Sequence, residues 1–161
     1  MSELMRATVR LRQEDGYRFR AEYDSPAQGV VVDEPPPLGG GAGPNPARML
    51  ATAVGHCLSS SLLYCLRRAR VPDPRVETTV DVEIRRTESG RWRIAGIRAA
   101  LDLSSVPPAW RAAVERCREL FEDFCIVTAS VRRGIPVDVT VRAGEAVVAP
   151  APEPDTRPGS R

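Results

Sequence analysis

The sequence feature that most constrains the fold is one uninterrupted stretch over residues 45–68. It opens with Asn45 and Pro46, which predict the start of a helix, because asparagine caps free backbone amides and proline at the first helical position has no donor to lose. The residues that follow are nearly all small or apolar until Arg67 and Arg68. A helix without an obvious polar face must be covered on most sides. We therefore expect a central, buried helix over residues 46–69.

Cys57 lies in the middle of this helix and has two interpretations. A free cysteine is most often a small core residue. A cysteine that acts chemically must form a thiolate, which requires nearby positive charge or hydrogen-bond donors. The chain's one histidine, His56, is adjacent, but neighbours in sequence point about 100° apart on a helix, which disfavours direct proton transfer between the two. The serines at 59–61 are explained as small residues that permit close helix packing, with hydroxyls bonded to preceding carbonyls.

Alternating apolar and polar residues predict antiparallel strands on both sides of the helix. This period of two occurs in residues 4–12, 17–23, 30–33, 76–86 and 91–103. Turn residues separate the first pair and the last pair, which predicts two hairpins. The Pro- and Gly-rich residues 34–44 are predicted to be a loop, and they lack the pattern of a phosphate-binding loop, so no cofactor is expected.

Beyond the second hairpin, the sequence predicts a helix, a short helix and a last strand. The first helix follows Pro107 and Pro108. Its expected apolar stripe contains Trp110, Val114, Cys117, Leu120 and Phe121. A short helix through Val131 and a strand over 135–141 follow. This order of elements predicts an α+β fold with separate antiparallel sheets. We expect one domain over residues 1–144 and a disordered, Pro-rich tail over 145–161.

Composition excludes several classes of function. The chain has 161 residues and a net charge of +2, and its arginines are scattered, so a nucleic-acid partner is not expected. The first residues lack the pattern of a secretory signal, and no long charge-free apolar segment predicts a membrane span, so a cytoplasmic protein is expected. The excess of Arg over Lys, with many Ala, Val and Pro, suggests a GC-rich bacterial genome.

The four cysteines contain no CxxC pair, and with one histidine they do not predict a metal site. A stable disulfide is not expected in a reducing compartment. Cys65 lies two helical turns beyond Cys57, about 12 Å along the helix, which is too far for a disulfide between them. We therefore expect Cys65 and Cys117 to be core thiols.

Two segments resemble the OsmC/Ohr family, which comprises osmotically induced protein C and the organic hydroperoxide resistance proteins. The first is Asn45-Pro46 followed by an Ala/Leu-rich helix that carries Cys57. The second begins at Cys125 and is similar to the family's Cys-Pro-Val-Ser segment. The resemblance covers residues 5–143.

The resemblance implies a fold, a partner and an activity. The fold is two antiparallel sheets around a long central helix, in an intertwined homodimer with the thiol pocket at the subunit interface. The activity is a thiol-dependent peroxidase that reduces small organic hydroperoxides, with Cys57 as the peroxidatic thiol and Cys125 as the resolving thiol. An external thiol or dithiol, such as a lipoyl group, is the implied reductant.

The chain departs from the family where the thiol is activated. The family's peroxidases commonly carry a glutamate after Asn-Pro that orients an arginine, and Ala47 stands there in this chain. We expect an unpaired cation to lower the pKa of Cys57 instead. The candidates are Arg48, on the loop side of the pocket, and Arg18 or Arg20, from the second strand of the partner subunit, although these residues also fit solvated surface charges. The missing glutamate favours an alternative: an OsmC-like fold with weak or no peroxidase activity that binds a small apolar or thiol-reactive ligand. A structural or interaction protein is a third possibility.

Overall fold

The computed structural model describes residues 4–25, 28–104, 106–143 and 146–148. The chain divides into two compact units, Met1–Ala129 and Ser130–Arg161. The first unit contains two antiparallel sheets, a long helix and a shorter helix. The architecture is α+β, as predicted.

The N-terminal sheet has three strands in the order β1-β2-β3. They are β1 (Val9–Asp15), β2 (Arg18–Tyr23) and β3 (Val30–Val32). Gly16 has a φ of 49°, and glycine adopts this left-handed conformation without strain in the turn between β1 and β2. The three predicted strands are present, although β1 starts at Val9 and not at residue 4.

The second sheet is the hairpin of β4 (Glu77–Arg86) and β5 (Trp92–Asp102). The strands pair antiparallel, with Glu77 opposite Asp102 and Arg86 opposite Trp92. Gly90 occupies a left-handed turn position with a φ of 79°. Alternate residues of β4 face the long helix, as the period of two in the sequence predicts.

The long helix, α1 (Pro46–Arg68), begins as the sequence predicts. The Asn45 side chain accepts a 3.1 Å hydrogen bond from the backbone N–H of Arg48. Its buried side consists of Val54, Gly55, Leu58, Leu62 and Leu66. The described residues of the single chain cover one side of α1, so the burial on nearly all sides that we expect in a dimer stays a prediction.

The uncovered side of α1 carries small and polar residues. Exposed positions there are Thr52, Ala53, His56, Ser60 and Tyr64. By length and composition α1 could also cross a membrane, a test that the core helix of a soluble protein passes as well.

Four short elements follow the second sheet. A 3-10 turn (Pro108–Trp110) leads into α2 (Arg111–Leu120), and a second 3-10 turn (Phe121–Phe124) leads to α3 (Ile126–Arg133). The buried stripe of this segment is Ala113, Cys117, Phe121 and Cys125. It runs at spacings of four, so Leu120 from the predicted stripe is left 52% exposed.

The predicted strand over residues 135–141 is wrong in its position. The structure gives residues 135–140 no strand, and β6 (Val141–Ala143) pairs with β7 (Ala146–Val148). Alternation alone cannot supply a pairing partner, and Pro136 lacks a backbone donor for a ladder. Because β7 lies inside the predicted tail, the expectation of disorder from residue 145 is wrong at residues 146–148. Residues 149–161 lie outside the described part of the chain.

Candidate active site

The structure brings Cys57 and Cys125 together. Cys57 lies midway along α1, and Cys125 immediately precedes α3. The thiol of Cys57 is hydrogen-bonded to the sulfur of Cys125. Cys57 is partly exposed and Cys125 is completely buried, so a reagent from solvent meets Cys57 first.

Cys125 is positioned by the start of α3. Its carbonyl accepts a 3.0 Å hydrogen bond from the N–H of Ala129, which makes Cys125 the N-cap residue of that helix. Its thiol donates a 3.0 Å hydrogen bond to Thr128 Oγ1. Thr128 is 7% exposed, and the sequence analysis gave it no role. The signal was available, since a polar residue three positions after an N-cap is a common way to fix a helix start.

The backbone at the start of α3 also contacts Cys57. The N–H groups of Ile126 and Val127 hydrogen-bond to the Cys57 sulfur. The first amides of a helix have no acceptor within the helix, and the helix dipole makes that end partly positive. Both effects favour the thiolate form of Cys57. No side-chain motif indicates backbone donors of this kind, so they were not predicted from the sequence.

The pKa of Cys57 is nevertheless raised above its ordinary value. Burial contributes most, since it disfavours the charged thiolate, and the hydrogen bond to Cys125 stabilises the protonated thiol. The amides of Ile126 and Val127 oppose this shift without reversing it. Among the described residues of the single chain, no arginine is a cause of this shift, so the expected lowering of this pKa by an arginine, including one from a partner subunit, stays a prediction.

Arg18 and Arg20 are not unpaired cations as expected. Arg20 Nε lies 2.6 Å from one carboxylate oxygen of Glu14, and Arg18 Nε lies 3.5 Å from the other. Both arginines neighbour Glu14 across the first hairpin, so their charge is shared with a carboxylate. Whether they act on a thiol stays a prediction.

Arg48 points away from Cys57. Nine residues separate them, which is about 900° of helix rotation, so the two side chains leave opposite sides of α1. Arg48 lines a cavity of about 430 Å³ together with His56, Ser59 and Thr78. His56 thus also faces away from Cys57, which agrees with the expectation that it is not the base for that thiol.

Arg48 lines a second cavity, of about 420 Å³, that also contains Asp33. Asp33 is 4% exposed, and its Oδ2 accepts hydrogen bonds of 3.1 Å from the N–H of Gly40 and 3.0 Å from that of Ala42. Among the causes of its lowered pKa, the bond from Ala42 is the largest, and Arg18 also contributes. Asp33 therefore orders the Gly-rich loop ahead of α1, a role that the sequence analysis did not assign.

Cys65 and Cys117 form a disulfide between α1 and α2, with their Cα atoms 5.6 Å apart. The expectation that both are core thiols is wrong. Sequence analysis excluded a bond between Cys57 and Cys65 from spacing along one helix, but spacing could not reveal that α2 packs beside the end of α1.

The fold and the cysteine pair can be compared with known proteins. A family model described as OsmC-like protein matches residues 39–140. The chain belongs to the OsmC-like protein family. The comparison with curated proteins gives no significant match.

Solved OsmC-like structures share the fold at low sequence identity. The organic hydroperoxide resistance protein OhrB of Bacillus subtilis is 19% identical with a TM-score of 0.59, over 81% of this chain and 93% of that one. An organic hydroperoxide resistance protein OsmC from Legionella pneumophila is 16% identical with a TM-score of 0.59, over 81% and 92%. An OsmC-like protein from Mycoplasma pneumoniae is 10% identical with a TM-score of 0.66, over 80% and 88%. The predicted family and the predicted α+β fold of two antiparallel sheets and a long helix are confirmed, whereas the intertwined dimer stays a prediction.

Proposed function

We propose that the protein is a thiol-dependent peroxidase that reduces small organic hydroperoxides through Cys57 and Cys125. The observation that carries the proposal is the direct contact of a partly exposed thiol with a buried one, at a helix start that offers two free amides. The names of the solved relatives, which include organic hydroperoxide resistance proteins, support it.

The proposed cycle has three steps. The Cys57 thiolate attacks the outer oxygen of the hydroperoxide, which breaks the O–O bond, releases an alcohol after protonation and leaves a sulfenic acid on Cys57. The Cys125 sulfur then attacks the Cys57 sulfur, a disulfide forms and water leaves. An external thiol or dithiol reduces that disulfide, and its class includes lipoyl groups.

The contacts around Cys57 and Cys125 support the first two steps. The amides of Ile126 and Val127 stabilise negative charge on Cys57 as the proton leaves. Thr128 holds the Cys125 sulfur in one orientation, which orients that sulfur in advance for attack on the sulfenic acid of Cys57. Cys125 has no access to solvent, so it is protected from oxidation by free peroxide.

The raised pKa of Cys57 supports the alternative function. A mostly protonated thiol reacts slowly with peroxide, which suits an OsmC-like protein with weak or no peroxidase activity that binds a small apolar or thiol-reactive ligand. Ala47, in place of the family's glutamate, favours the same alternative.

We also propose a homodimer and a cytoplasmic location. The exposed side of α1 has small residues at Ala53 and Ser60, which permit the close approach of a second helix. A partner chain would then cover the exposed side of α1. It would also supply an arginine near Cys57, which a single chain does not provide. A site that works through free thiols also needs a reducing compartment.

Hydroperoxide consumption with a dithiol reductant tests the proposal. Wild type should turn over, and Cys57→Ser should be inactive. Without the reductant, Cys125→Ser should consume one equivalent of hydroperoxide and stop at the Cys57 sulfenic acid instead of a disulfide. His56→Gln is the matched control, because it changes the neighbouring residue, which points about 100° away from Cys57 on α1, and it should retain activity. Equal activity of wild type and Cys57→Ser would contradict the peroxidase proposal and favour ligand binding.

A further inference from the structure

A second redox-active group lies outside the Cys57–Cys125 pair. The Cys65–Cys117 disulfide forms part of the wall of a cavity of about 500 Å³ between α1 and α2. Cys65 is partly exposed, whereas Cys117 is 1% exposed. Both cysteines line the cavity, and Cys65 is the more exposed residue of the two.

The rest of the cavity wall is apolar with two cations. Tyr64, Leu120 and Phe124 supply apolar surface and are 59%, 52% and 68% exposed. Arg68 and Arg116 supply the positive charge. Among the described residues neither arginine forms an ion pair, and Arg68 instead stacks near the Tyr64 ring, 5.9 Å from its centroid.

We infer that this cavity binds a small thiol that carries a negative charge, and that the bound thiol reduces the Cys65–Cys117 disulfide. Disulfides are opened by thiolates, and two unpaired guanidinium groups attract both an anionic substituent and the thiolate itself. The cavity volume suits a small molecule. The inference does not depend on the peroxidase proposal, because it uses neither Cys57 nor Cys125.

The exchange begins at Cys65, the more exposed of the two cysteine residues. The thiolate attacks Cys65 Sγ, a mixed disulfide forms at Cys65, and the Cys117 sulfur leaves with the electron pair and takes a proton. A second thiolate attacks the ligand sulfur of the mixed disulfide. The ligand is released as its own disulfide, Cys65 becomes a thiol, and two electrons have passed to the protein.

The test measures reduction of the folded, full-length protein by three thiols that differ in charge. The thiols are 3-mercaptopropionate, which is anionic, 2-mercaptoethanol, which is neutral, and cysteamine, which is cationic. The rate of each thiol with the protein is divided by its rate with a neutral reference, the disulfide of 2-mercaptoethanol. Acid quench, alkylation and intact mass follow the gain of two thiols. Wild type should favour the anionic thiol over the cationic one by about tenfold.

Variants assign that preference to the cavity. In Arg68→Gln/Arg116→Gln the preference should disappear, whereas Arg67→Gln/Arg118→Gln should keep it. The control removes the same charge from the same two helices at positions that do not line the cavity. High salt should also reduce the preference in wild type, a measurement that needs no variant.

Three outcomes would overturn the inference. They are the absence of the disulfide in purified protein, no reduction without denaturant, and equal normalised rates for the three thiols. A trapped mixed disulfide should be found on Cys65, and one found on Cys117 would contradict the proposed direction of attack.

Discussion

Thr128 accepts a hydrogen bond of 3.0 Å from the thiol of Cys125, and both side chains are buried. The bond joins the N-cap residue of α3 to its third helical residue, so it fixes both the helix start and the sulfur that faces Cys57. The position of the Cys125 sulfur therefore depends on the Thr128 hydroxyl.

Replacing Thr128 by valine should loosen this arrangement. Valine has nearly the same shape but no acceptor, so we expect a loss of about 1 kcal/mol of stability and slower formation of the Cys57–Cys125 disulfide after one equivalent of hydroperoxide. Thr128→Ser keeps the hydroxyl and should restore the rate. The measurements are denaturant unfolding and quenched-flow alkylation. A valine variant as fast as wild type would show that Thr128 does not position the thiol.

Cys125 should also control the ionisation of Cys57. Its sulfur raises the pKa of Cys57 by hydrogen bonding and by charge, whereas the amides of Ile126 and Val127 lower it. Removing the sulfur in Cys125→Ala should therefore lower the pKa of Cys57. The rate of Cys57 alkylation by iodoacetamide, followed against pH, should shift to lower pH in the variant. An unchanged or higher midpoint would contradict this account.

Local pattern predicted the helices and the two hairpins because their causes are local. Asn45 and Pro46 start α1 through their own chemistry, and alternation in residues 76–86 fixes one face of β4. The contact between Cys57 and Cys125 was predicted from the family resemblance, because no spacing rule connects residues so far apart in the chain.

What sequence analysis missed depends on neighbours in space. The Cys65–Cys117 bond requires α2 to lie beside the end of α1, and the sequence of neither helix indicates this packing. The raised pKa of Cys57 arises from burial and from the sulfur of Cys125, and two backbone amides oppose it; neither burial nor a backbone amide has a residue type as its signal. The sequence of an apolar helix likewise does not indicate which of its sides the rest of the chain leaves exposed.

Gly55 should not tolerate alanine, because α1 and β4 approach closely there. A Cβ on Gly55 would lie 2.8 Å from Val80 Cγ2. Alanine normally favours a helix by about 1 kcal/mol over glycine, but the overlap should outweigh this and destabilise the protein by about 1–3 kcal/mol.

A double variant separates the contact at Gly55 from helix propensity. Val80→Ala removes the methyl group that alanine at 55 would meet, so Gly55→Ala should be less harmful in that background. Thermal unfolding of the four combinations gives the coupling energy. Additive effects would show that the two positions do not compete for space.

Asp33 should make part of the protein's stability depend on pH. The N–H groups of Ala42 and Gly40 favour its ionised form, so its pKa is lower in the folded chain than the value of about 3.9 for an unfolded aspartate. The unfolded state then binds the proton more readily, and the stabilisation is complete above the unfolded pKa and is lost as the pH falls through the folded one.

Asp33→Asn cannot ionise, so denaturant unfolding between neutral and acidic pH should show a shallower loss of stability than wild type. Asp81→Asn removes the same charge from an exposed position on β4 and serves as the matched control. If the Asp33→Asn and wild-type curves run parallel, the carboxylate does not order the loop ahead of α1 through its charge.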